Sequence, residues 1–420
     1  MANQGVVISG MGVVSPFGVG RERYWDNVSR GVSGTKAITQ FDVSTYPCQV
    51  AAWVPPVSID DALPLEGDQD GEGRADPRRY SRAALFGVIA AREAWHDAGL
   101  RVGEPGAGVL IGSGGGGIDV GEKQYEDFFL NGGKHVTPYA ISVGIAGMVS
   151  SEISISLGLR GLSHVLSCGC TSSTDALGYA ASLIRSGEYD VLLSGGTDGC
   201  VLPGMIFGFS RMRAVSTHYN DRPAEASRPF DNGRDGFVLG EGAWMFALER
   251  EDRARARGAT IYARLEGYAS TCDAYHRVQM DPDGGEIVRC IETALAKAGR
   301  PVEDIGYVNY HGTSTQLNDA IESRCVRRVF GCLADKVPGS STKSMIGHPQ
   351  GASGAAGVAA TALALGRGIL PPTINLDTPD PACDMDFIPK TPRAADIDAA
   401  LCNCLGFGSK NSALVLGRAR

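Results

Sequence analysis

Short apolar runs, each closed by glycine, proline or small hydroxyl residues, alternate along this chain with segments whose apolar positions recur every three or four residues. Residues 6–14 form the first such run, closed by Ser15-Pro16, and predict a buried strand. Residues 80–98 carry a helical period that stops at Gly99, and 108–111 read as a strand entering the glycine run 114–117. Between the first strand and that helix, residues 57–79 are acidic and Gly/Pro-punctuated and predict a solvated loop. Further on, a strand at 164–167 passes through a small-residue turn into a helix over 171–186, with Ala176, Ala180, Leu183 and Ile184 on one face, and a strand follows at 190–193. The second half repeats this pattern. Residues 340–344 enter a turn, an alanine-rich helix spans 351–365, and a strand follows at 368–370, while 261–269 match 6–14 in character. The reading is an α/β chain made of two similar halves that meet near residues 250–258.

Composition narrows the classes. The 420 residues suit two to three domains of ordinary size. With 43% hydrophobic and 20% charged residues, a sizeable core forms and global disorder is excluded. A net charge of −8 argues against a nucleic-acid or anionic-membrane binder. The eleven cysteines are odd in number and contain no C-x-x-C pair, which argues against a disulfide framework and a structural zinc site; no metal is expected. No apolar run approaches membrane-span length, and the N-terminus lacks the basic segment of a signal peptide, so a cytoplasmic location is expected. Fifty-seven glycines, about twice the usual share, imply many close backbone approaches.

Four places bring reactive residue types to strand ends, where open α/β sheets hold ligands. In SCGCTSS, Cys170 precedes a helix start, where the dipole favours thiolate, while Cys168 still belongs to the strand; the bland alternative is a small buried hydrophobe. His311 follows the strand 305–310 and leads into Gly312-Thr313-Ser314-Thr315. Lys343 and His348 stand five positions apart around a turn. The closing Cys404-Leu405-Gly406-Phe407-Gly408 allows backbone N–H groups to approach a substrate oxygen. Each alone is a common structural feature. Together they offer a thiol, two imidazoles and an ammonium group. No nucleotide or flavin motif accompanies them: the glycine run 114–117 lacks G-x-G-x-x-G order.

The strings CTSSTDALGYA, ASRPFDNGRDGFVLGEGA, HGTSTQLND, STKSMIGHPQGASGA and CLGFGSKN resemble, over essentially the whole chain, a β-ketoacyl synthase of the thiolase-like superfamily. STCDAYHRVQMDPDGG and DTPDPACDMDFIP are closest in kind to the catalytic ketosynthase subunit of type II polyketide synthases. The resemblance implies a layered αβαβα fold of two duplicated halves, 1–254 with Cys170 and 255–420 with His311, Lys343 and His348. It implies an acyl chain held as a thioester on Cys170 and a malonyl unit, delivered by acyl carrier protein, decarboxylated between His311 and His348. Backbone N–H groups of Cys170 and Leu405 would form the oxyanion hole, Lys343 would tune the local field, and Thr313 and Thr315 would bind the phosphopantetheine arm. No diffusible cofactor is implied. A fatty-acid-type 3-oxoacyl synthase II is the alternative, and the C-x-G-x-G turn at Cys404 brings thiolase into view as a further competitor.

The chain also departs from the family pattern. Leu405 stands where a gating phenylalanine is usual, and Gly115 where a bulky aliphatic is, so a wider acyl pocket is expected, with Phe407 as a further gating residue. Gly357 replaces a frequent acidic residue, leaving Glu322 as the expected ionic support for Lys343. The implied partners are acyl carrier protein, docked at Arg213 and Arg211 and more weakly at Arg78 and Arg79, and a second subunit. That subunit is either another copy or a chain-length-factor paralogue. Such paralogues lack the nucleophile, so Cys170 excludes that identity for this chain.

Overall fold

The computed structural model describes residues 4–68 and 80–419. Ten strands form one linear ladder: β1 (Val6–Ser15), β2 (Gly108–Gly112), β3 (Ser163–Leu166), β4 (Val191–Asp198) and β5 (Gly242–Arg250), then β6 (Ala263–Cys272), β7 (Ile305–Asn309), β8 (Gly339–Ser340), β9 (Ala399–Gly406) and β10 (Lys410–Gly417). Their order is β8-β7-β9-β10-β6-β1-β5-β4-β2-β3, with the short strand Gly18–Val19 added beside β1. The two halves meet at an antiparallel contact of only two register pairs, Val7 with Arg264 and Ile8 with Ala263. Outward from that seam each half repeats one pattern, two antiparallel pairings followed by two parallel ones. Even the irregularity is repeated: the ladder slips between Ile8 and Gly10 in β1 and between Leu265 and Gly267 in β6. At both glycines a Cβ would collide with a helix carbonyl, Ala94 O and Ala294 O respectively. Part of the glycine surplus thus lets helices lie directly on the sheet.

Those helices are α1 (Arg82–Asp97) on the first half and α3 (Gly285–Ala298) and α4 (Gln316–Phe330) on the second. Between the two sheet halves lie α2 (Ser172–Arg185) and α5 (Ser353–Arg367), which gives the layered αβαβα arrangement. Every residue of α5 from Ser353 to Leu365 is buried. Its alanines keep the helix thin enough to be covered on all sides, which an amphipathic helix could not be.

The sequence-based elements at 6–14, 80–98, 108–111, 171–186, 261–269 and 351–365 coincide with observed ones within a few residues. The strand at 368–370 does not close the second repeat as expected. Ile369–Leu370 pairs with Arg393–Ala394 in a separate two-stranded sheet, and β9 is the counterpart of β4. Pro371 and Pro372 follow immediately and lack the N–H groups a longer ladder needs. Of the expected loop 57–79, residues 57–68 are irregular apart from one turn of 3₁₀ helix, Ile59–Asp61. The remainder, with Arg78 and Arg79, lies outside the described residues. A smaller apolar cluster, built from segments near 38–54 and 201–239, covers one end of the sheet and supplies a wall of the site described next.

Candidate active site

Three chain segments converge on one buried point. After β3 the chain turns through Gly169 (φ 74°) and delivers Cys170 just before α2 begins at Ser172. After β7, His311 is fixed through its backbone: its N–H and that of Gly312 donate to the two oxygens of Glu322 on α4, at 2.7 and 2.8 Å. His348 lies between the short helix Lys343–Ile346 and α5, clamped by the covering segment. Its N–H donates to Val238 O at 2.7 Å, its carbonyl accepts from Gly240 N at 3.0 Å, and its ring meets Phe237 edge-on. The Cys170 sulfur and one nitrogen of each imidazole lie within 4.8 Å of one another. The two imidazoles stand perpendicular with centroids 5.2 Å apart.

This cluster ends a cavity of about 340 Å³ that is also lined by Thr313, Thr315, Arg213, Phe237, Gln350, Leu405 and Phe407. Thr313 and Thr315 bring their hydroxyl oxygens within 3.0 Å of each other, and Thr315 caps α4. Arg213 is exposed at the mouth in a left-handed conformation (φ 54°), whereas Arg211 lies in the last turn of the preceding helix, exposed and off the cavity wall. Gly115 lines a second, apolar cavity of about 950 Å³, with Ile118, Phe128 and Ile141 on its walls. One layer separates the two spaces: a Cβ on Gly114, which faces the larger, would stand 3.6 Å from Cβ of Gln350, which faces the smaller.

Burial dominates the electrostatics. It pushes the Cys170 thiol up to about 11, outweighing the opposing pull of the Phe407 N–H, the Lys343 charge and its own N–H. The expected resting thiolate is therefore replaced by a thiol, because the same enclosure that shapes the site removes the water an anion needs. Burial, then the Lys343 charge, holds both imidazoles well below their usual range, with His348 adding to the effect at His311. Lys343 is itself buried, which lowers its affinity for protons against the support of Cys404, Glu322 and Cys170. Glu322, pushed up to about 7 by burial, spends its oxygens on the His311–Gly312 backbone and on Asn403. It orients the histidine loop rather than pairing directly with Lys343.

Sequence reading names Phe407 and Cys404 without their contacts, and it misses Asp198. The backbone donor facing the sulfur beside Cys170's own N–H is that of Phe407. Buried Asp198, at the end of β4, gathers N–H groups of Gly114, Gly115 and Gly351 and braces the wall between the cavities. An acidic residue ending a buried strand is the signal that could have flagged it. Cys404 places its sulfur 3.1 Å from Cys170 O and 3.7 Å from His311 Nδ1.

The family descriptions "Beta-ketoacyl synthase, N-terminal domain" and "Beta-ketoacyl synthase, C-terminal domain" match residues 3–254 and 262–377. The chain belongs to the β-ketoacyl synthase family. A 3-oxoacyl-[acyl-carrier-protein] synthase 2 of Coxiella burnetii is 41% identical over 421 residues, covering 100% of this chain and 99% of the relative. The tetracenomycin polyketide synthase ketoacyl synthase alpha subunit of Streptomyces glaucescens is 39% identical, covering 99% and 98%. Among solved structures, the ishigamide ketosynthase/chain length factor aligns with TM-score 0.92 at 32% identity, covering 100% of both chains. A type II polyketide synthase acyl-carrier protein complex with its ketosynthase bound to the hexaketide aligns at 0.87 and 31%, covering 99% and 100%. The thiolase-like β-ketoacyl synthase fold expected from the sequence is thus the one observed. No helix among the described residues is long and apolar enough to cross a membrane.

The neutral imidazoles of this synthase carry a stability signature. Each stays unprotonated when folded and takes up a proton on unfolding below about pH 6.5, so each costs stability as the pH falls. His348→Asn should therefore flatten the acid limb of the unfolding free energy by about 1.4 kcal/mol per pH unit between pH 6 and 5. Urea titrations of both proteins at those pH values measure this difference.

Proposed function

We propose that this synthase elongates a polyketide chain by decarboxylative Claisen condensation in a type II polyketide synthase. What carries the reading is the convergence of Cys170, His311 and His348 at the end of a cavity lined by Thr313 and Thr315. In the loading half-reaction, Cys170 Sγ attacks the carrier-bound thioester. A C–S bond forms as the pantetheine C–S bond breaks, and the Cys170 proton passes to the departing sulfur through an imidazole. In the extension half-reaction the malonyl C–CO₂ bond breaks, carbon dioxide leaves, and the released electron pair attacks the acyl carbonyl carbon. N–H groups of Cys170 and of the Leu405–Phe407 turn hold the tetrahedral oxyanion. Collapse breaks the bond to Cys170, whose sulfur regains a proton from solvent. Holding the acyl group covalently turns a meeting of two carriers into attack within one site.

The polyketide assignment is supported by the segment Val278–Met280, which lines the entrance and belongs to the stretch most similar to type II ketosynthases. It is also supported by the apolar cavity at Gly115, spacious enough for a long or unsaturated chain. That cavity opens beside exposed Phe128, Phe129, Leu130, Ile141 and Ile145, a face suited to a second ketosynthase-like subunit. Arg213 at the cavity mouth is the proposed contact for an acidic carrier protein, with Arg211 behind it. A fatty-acid 3-oxoacyl synthase II is the second reading, favoured by the 41% identical relative.

Intact-mass analysis after incubation with acyl and malonyl carrier proteins tests the proposal, with saturated and polyunsaturated acyl carriers in competition. The expected result is a thioester adduct at Cys170 and faster loading of unsaturated chains. Isoleucine at 115 would put a Cβ 2.6 Å from Cys200 Sγ, so it is introduced together with Cys200→Gly. This pair should cut loading of long chains roughly tenfold, the scale of one or two methylenes refused by a pocket. Preference for saturated chains, unchanged in the paired variant, would favour the fatty-acid reading.

A further inference from the structure

Cys404 belongs to neither half-reaction as written, yet its sulfur touches both catalytic segments. It is buried, it does not line the cavity, and burial pushes its thiol up to about 12, so it remains S–H and meets no substrate. A thiol has one proton to donate. Cys170 O, at 3.1 Å, is the nearer acceptor, and His311 Nδ1, at 3.7 Å, is the other neighbour. A carbonyl oxygen can only accept. With the S–H committed to it, the sulfur offers His311 only lone pairs, and Nδ1 must then carry the ring proton to interact. Neutral imidazole has a single N–H, so Nε2 is left bare. Two neighbours are compatible with this arrangement: Glu322 engages the His311 backbone, and Lys343 disfavours a second ring proton.

We infer that Cys404 is a positioning residue that fixes His311 as the Nδ1–H tautomer, making its Nε2 a proton acceptor for Cys170. The inference rests on the ketosynthase reading for its catalytic consequence but not for its tautomer. It divides between two residues the work that the resemblance gives to the His311–His348 pair. On loading, the Cys170 proton moves to His311 Nε2 and from there to the pantetheine sulfur as its C–S bond breaks, so His311 ends neutral. His348 then serves as the donor toward the malonyl thioester oxygen.

Long-range ¹⁵N–¹H correlation spectra of the ¹⁵N-histidine-labelled enzyme, with His311→Gln for assignment, read the tautomer directly. Wild type should show His311 protonated at Nδ1. Cys404→Ala should shift it toward Nε2–H, and Cys404→Ser, which keeps a donor–acceptor in place, should retain Nδ1–H. In parallel, Cys404→Ala should slow Cys170 acylation by roughly tenfold, a fraction of what a positioned base supplies, and Cys404→Ser should restore most of the rate. An Nε2–H His311 in wild type, or an unchanged tautomer in Cys404→Ala, overturns the inference. Correct tautomers with no adduct at Cys170 in any variant would instead sink the ketosynthase reading and leave the tautomer assignment standing.

Discussion

Cys170→Ala is expected to leave no acyl adduct on the intact protein and to lower condensation on the order of 10⁴-fold or more, the scale on which a tethered reactant outperforms a free one. The reason is geometric. Among the described residues, Cys170 is the only cysteine lining the cavity with His311 and His348. Without its sulfur the acyl chain must remain on its carrier while a second carrier delivers the malonyl unit to the same opening. Malonyl decarboxylation should survive in this variant, because the imidazoles and Lys343 take their positions from other segments. His348 is clamped by Val238 and Gly240, and His311 by Glu322. Intact-mass spectrometry and carbon dioxide release distinguish the two activities. An adduct that persists and maps to Cys404 or Cys168 would remove the nucleophile assignment.

Much of this site is legible in the sequence, and what is not has a physical cause. Cys170, His311, Lys343 and His348 follow short strands and small-residue turns, signals that are local in sequence, and each lies where its motif places it. The thiolate expectation failed because a helix N-terminus is visible in a linear pattern while burial is not. The layers that hide Cys170 come from segments scattered along the chain. Glu322 gives Lys343 the expected electrostatic support, but its second task is not legible in sequence, because each of its oxygens also takes a backbone N–H group after a tight turn. The repeat is visible in β1 and β6 because their strand patterns match. Its last strand was misplaced because β9 follows a long irregular stretch instead of the helix directly. Cys404 stood in a recognised motif, yet its two contacts join segments 93 and 234 residues away, which no spacing rule reaches.

His348→Ala should separate the half-reactions. Loading of Cys170 is expected to continue near the wild-type rate, while malonyl decarboxylation and condensation fall by roughly 10²–10⁴-fold, the range for removing a positioned donor in a water-poor site. The His348 ring lines the cavity, and its buried Nδ1 has no acceptor to hold a proton among the described atoms, which leaves the ring proton to Nε2. It stays neutral because burial and the Lys343 charge exclude a second proton, which makes it a hydrogen-bond donor to the developing enolate rather than a fixed cation. A permanent cation would bind the resting malonyl carboxylate as readily as the enolate, and equal stabilisation of both would leave the barrier unchanged. A neutral donor beside a buried ammonium instead strengthens as charge moves onto the oxygen. Single-turnover measurements that follow carbon dioxide release separately from Cys170 adduct formation test this division. Equal loss of both in His348→Ala would mean that the two imidazoles act as one unit, and the separation of roles between them would have to be abandoned.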